Sequence, residues 1–116
     1  MQIFSAEEID EALSVISSVI LNCENMILKF KSKTAQHTLL LNRIKALIIS
    51  KSLIEKQKVN YTKNELIEAL NAVSSIINKS EKALSKQYEG AIAYLRLDKL
   101  IKAMKTAKVY IETKLI

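Results

Sequence analysis

From Ile9 onward, the residues Ile9, Leu13, Ile16, Ile20, Cys23, Ile27 and Phe30 alternate steps of four and three. That spacing lays one apolar stripe along an α-helix. The same rhythm returns at Leu66, Leu70, Val73, Ile77, Ser80, Leu84 and Gln87, turning polar towards its end. Shorter stripes run through Leu40, Ile44, Leu47 and Ile54, and through Leu97, Ile101, Met104, Ile111 and Leu115. The pattern predicts four helices, over residues 5–31, 34–56, 62–87 and 91–114. Two of the starts are marked by capping boxes, Ser5-Ala-Glu-Glu8 and Thr62-Lys-Asn-Glu65. In each, the hydroxyl accepts from a first-turn N–H and the glutamate accepts from the N–H of the cap residue. Phe4 with Ile9, and Tyr61 with Leu66, stand where a hydrophobic staple places its two members.

The chain also repeats itself. Shifted by 57 residues without a gap, Phe4–Glu55 and Tyr61–Glu112 share 16 identities in 52 positions, where chance gives roughly three or four. Ala12-Leu13 returns as Ala69-Leu70, Ser17-Ser18 as Ser74-Ser75, and Ile44-Lys45-Ala46 as Ile101-Lys102-Ala103. Each unit holds two helices joined by a short connection, which makes them antiparallel neighbours. Gly90 suits the turn of the second unit, and Ser32-Lys33 takes its place in the first. One αα-hairpin cannot bury its own stripe, but two related by an approximate two-fold axis can. The expected fold is all-α: one domain over 1–116, an antiparallel up-and-down four-helix bundle of two tandem hairpins, 4–55 and 61–112.

Composition narrows the picture further. A single glycine and no proline among 116 residues leave few of the turns that a multi-stranded sheet needs. With 49% apolar residues the chain has enough to collapse, which argues against disorder. One cysteine forms no internal disulfide, and Met1–Phe4 followed by acidic residues lacks the basic and apolar regions of a signal peptide. No apolar run approaches the ~20 residues of a membrane span. The expectation is a cytoplasmic protein, and its rich Ile, Lys and Asn usage suits an AT-rich bacterial or phage gene.

Catalytic chemistry finds little to work with. The one histidine, His37, has Tyr94 as its copy, whereas di-iron bundles need Glu-x-x-His on two helices. Glu8/Glu11 and Glu65/Glu68 fall in first turns, where the helix dipole favours carboxylates. Cys23 lies on the apolar stripe with Ser80 as its copy, the place of a small buried residue. No phosphate loop, zinc spacing or nucleophile–base grouping occurs. The sequence therefore predicts no catalytic residue, no metal and no cofactor, and a protein that is not an enzyme.

Function is sought where the two copies diverge. Leu21, Leu28, Leu39, Leu41, Ile48 and Ile49 correspond to Asn78, Ser85, Arg96, Asp98, Lys105 and Thr106. If both hairpins pack alike, the polar set shows which positions meet water, and the first hairpin then exposes an apolar patch. Such patches mark interfaces, so these six residues are the expected protein interface, for a homodimer or a helical partner. A second candidate is an anion or nucleotide site built from the repeat-matched pairs Lys45/Lys102 and Lys51/Lys108 about the two-fold axis. A third is nucleic-acid binding through the basic stripe Arg96, Lys99, Lys102 and Lys105. The net charge of +6 favours anions in general: residues 29–63 hold nine basic groups and one acidic.

Overall fold

The computed structural model describes residues 3–116, and these fold into four α-helices: α1 (Ala6–Ile27), α2 (Ala35–Ile54), α3 (Lys63–Leu84) and α4 (Ile92–Leu115). The repeat governs even the boundaries. Helix α3 begins and ends 57 residues after α1, and α4 begins 57 after α2. Both capping boxes form. Glu8 N–H donates to Ser5 Oγ at 3.1 Å while Ser5 N–H donates to Glu8 Oε1 at 2.9 Å, and Thr62 and Glu65 repeat both distances. The two bonds to Ser5, the backbone one first, hold the Glu8 carboxyl below its ordinary pKa.

Helices α1 and α3 stop three to four residues short of the extent their stripes predict. After Ile27 the N–H groups of Lys29 and Phe30 reach back only three residues, to Met26 and Ile27, which tightens the chain out of the α form. Lys33 then turns it at φ +70°, and Gly90 does the same at φ +91° in the copy. Helix α2 ends in a Schellman motif: Lys56 takes φ +57°, Gln57 N–H bonds Ser52 C=O and Lys56 N–H bonds Leu53 C=O.

The helices pack as an antiparallel four-helix bundle. Each hairpin pairs its own two helices, and the hairpins meet where α2 lies on α3 and α1 on α4. Across the centre α2 also touches α4, while α1 and α3 stay apart. The core is made twice over from matched positions: Ile16 and Val73, Leu47 and Met104, Ser50 and Ala107, Ile54 and Ile111 are all buried. Alanines set the approach between hairpins. Ala46 and Ala69 lie together where α2 meets α3, and Ala12 and Ala103 where α1 meets α4, each nearly inaccessible. Buried Ser50 donates to Ala46 C=O at 2.8 Å, so its hydroxyl is satisfied within its own helix.

The shared core occupies only the open ends of the hairpins. No residue between Leu21 and Lys45, or between Asn78 and Lys99, belongs to it. Cys23, Leu40 and Ile101 are buried as well, outside that shared core. The tips therefore run on as two-helix arms, and the molecule is broad and thin, 40 × 40 × 20 Å. No helix of the described residues is long and apolar enough to cross a membrane.

Candidate functional site

A two-helix arm has one buried side and a large wet one, so what it carries outward depends on sequence alone. On the first hairpin Leu21, Leu28, Leu39, Leu41 and Ile48 are exposed, from 38% for Leu41 to 83% for Leu28. Leu21 and Leu28 are seven residues apart, as are Leu41 and Ile48, so each pair shares one face of its helix. Ile49 departs from the sequence expectation. It is 8% exposed and sits in the core. Its copy Thr106 misled the comparison, because that threonine is buried as well, with its hydroxyl bonded to Lys102 C=O at 3.0 Å. A polar residue that bonds its own helix does not mark a wet position.

The two-fold relation creates two grooves between the hairpins. One, of about 700 Å³, runs between α2 and α3, with Leu39, Asn42, Lys45 and Ile48 on one wall and Tyr61, Glu65 and Glu68 on the other. Its counterpart, of about 540 Å³, runs between α1 and α4, with Lys99, Lys102, Lys105 and Lys108 facing Phe4, Glu8 and Glu11. Lys45 lines the first groove and Lys102 the second. The symmetry thus sends the matched lysines to different grooves instead of gathering them about one anion. Lys51 and Lys108 are half-buried near the open end, with Lys108 alone reaching a groove wall.

The basic stripe of α4 is largely answered within the molecule. Lys99 Nζ lies 3.7 Å from Glu11, Lys102 Nζ 3.0 Å from Asp98 and Lys105 Nζ 3.7 Å from Glu81. Arg96 is exposed and unpaired among the described residues. The hydrogen bond to Asp98, and then its charge, raises the Lys102 pKa. Each of these exposed pairs is weak in stability terms, yet each leaves less free positive charge for a phosphate.

Those ion pairs reveal what the sequence comparison missed. All three depend on a residue of α4, and at the matching place in the first hairpin every one is lost. Lys99–Glu11 becomes Asn42 with Glu68, Lys105–Glu81 becomes Ile48 with Glu24, and Lys102–Asp98 becomes Lys45 with Leu41. Glu24, Lys45 and Glu68 consequently have no ion-pair partner among the described residues. Arg43 is a further departure, standing where the copy has Leu100. It lines the α2/α3 groove, and its Nε is buried without a hydrogen-bond partner. Pairing each charged residue with its repeat equivalent, rather than scoring positions singly, would have exposed these changes in the sequence.

Little else in the structure gathers reactive groups. Among the described residues no three His, Cys, Asp or Glu side chains cluster as metal ligands. Burial raises the pKa of Cys23, with the nearby Arg43 opposing in part. That thiol is poorly placed for ionisation. Set against known proteins, the chain matches no protein-family model, no curated protein and no solved structure.

Proposed function

We propose that this is a small cytoplasmic docking module with no catalysis of its own, whose first hairpin offers its outer face to a helical protein surface. The carrying observation is the replacement of surface ion pairs by apolar side chains in one copy of a duplicated unit. In the second hairpin Asp98 and Lys105 are bound up with Lys102 and Glu81. In the first, the matching Leu41 and Ile48 stand exposed. An exposed leucine alone means little, but apolar residues on two adjacent helices, beside charges left without partners, describe a face that another surface completes.

A photo-crosslinking amino acid placed at position 41, with the same group at position 98 as control, tests this in the cells that make the protein. Position 41 gives a discrete adduct and position 98 gives none. Equal labelling at both, or at neither, contradicts the docking reading.

A further inference from the structure

We infer that the occupant of this face is a second copy of the chain, packed about a two-fold axis that runs along the first hairpin between α1 and α2. The inference rests on the docking reading and adds the identity of the partner. On α1 and its C-cap the face reads Leu21, Glu24, Leu28, spaced i, i+3, i+7. On α2 it reads Leu41, Lys45, Ile48, spaced i, i+4, i+7. Each is a single stripe of apolar, charged, apolar residues, and the two central charges are opposite in sign.

The two stripes come within side-chain reach of each other along the hairpin. In the second hairpin the equivalents of Glu24 and Ile48, Glu81 and Lys105, meet at 3.7 Å across the α3/α4 junction. Lys45 lies one turn from Ile48 on α2. A two-fold axis along the helices therefore lays α1 of each copy antiparallel over α2 of the other. Glu24 of each copy then faces Lys45 of its mate, and both charges gain the partner they lack in the single chain. An axis across the helices would instead stack Glu24 on Glu24 and Lys45 on Lys45. The face is thus complementary to itself in one orientation only, as an isologous contact requires.

The test is a charge exchange read by light scattering over a dilution series of the full chain, with circular dichroism confirming that every variant is helical. The wild type doubles its mass at the concentrated end. E24K and K45E each stay single alone, because each places like charges opposite one another twice. Mixed in equal amounts they form a heterodimer, since the E24K chain carries a lysine at both positions and the K45E chain a glutamate at both. A wild type of one-chain mass throughout, or a mixture no heavier than its components, overturns the second copy. If position 41 meanwhile crosslinks to a different protein, the docking reading stands and only this inference falls. If it crosslinks to nothing, both fall.

Discussion

Leu47→Ala lowers the folding free energy by about 3 kcal/mol, whereas Ile48→Ala, one residue further along the same helix, changes it by less than about 0.5 kcal/mol. Leu47 is fully buried at the centre of the bundle, matched by Met104 of the second hairpin, while Ile48 is 47% exposed. Truncating Leu47 removes its transfer energy and leaves a cavity that the surrounding core only partly closes. Urea unfolding followed by circular dichroism gives both values. Equal losses at the two positions would mean that Ile48 helps to hold the chain together, and the distinction between core and face would collapse.

Ala69→Leu costs about 2 kcal/mol, although it adds apolar bulk to an apolar contact. Ala69 and Ala46 are the small residues at the α2/α3 approach, and both are buried to within 2%. A leucine there is too wide for the close approach of α2 and α3, and it parts the hairpins unless it turns into the groove that Ala69 lines. The two-fold relation predicts a loss of similar size for Ala12→Leu at the α1/α4 approach. Ala35→Leu, at the exposed start of α2, serves as the control and leaves stability nearly unchanged. The same urea measurement decides it, and a stabilised Ala69→Leu would place spare volume where close packing is described.

Much of this architecture was legible in the chain. The four stripes, both capping boxes and the 57-residue shift lead directly to two stacked hairpins, because each signal is local or is repeated. The helix ends were less so. Whether Lys33 and Lys56 adopt positive φ is decided by the turns around them, and a lysine does not announce that conformation as Gly90 does. The alanines of the core also escaped the stripe. Ala12, Ala46, Ala69 and Ala103 mark where helices come closest, and a small side chain carries little weight in a hydrophobic pattern. Nor does any pattern show that the hairpins share only their open ends, which follows from the tertiary packing of α2 on α4. For the candidate face, comparison of the copies placed five of six residues where they meet water. It erred at Ile49 because Thr106 hides its hydroxyl against Lys102 C=O. The unpaired Glu24 and Lys45 emerged only once the ion pairs of the second hairpin were in view.

The two hairpins thus share an interior and differ in what they show outside. In one, Glu81, Asp98, Lys102 and Lys105 neutralise each other in pairs. In the other, apolar residues have taken two of those places, Leu41 and Ile48, and both remain 38% or more exposed. Such residues contribute when another surface covers them. Replacing them with their polar equivalents should therefore cost the single chain nothing.

The direct measurement is the thermal unfolding of a chain carrying Leu21→Asn, Leu28→Ser, Leu41→Asp and Ile48→Lys, at a dilution where the wild type is single. These changes rewrite the first face as the second and rebuild its two ion pairs, the introduced aspartate with Lys45 and the introduced lysine with Glu24. A midpoint equal to or above that of the wild type is the result expected of residues kept for a partner. A fall of ~10 °C or more would show that the leucines and the isoleucine stabilise the molecule that carries them, and the docking face would be gone.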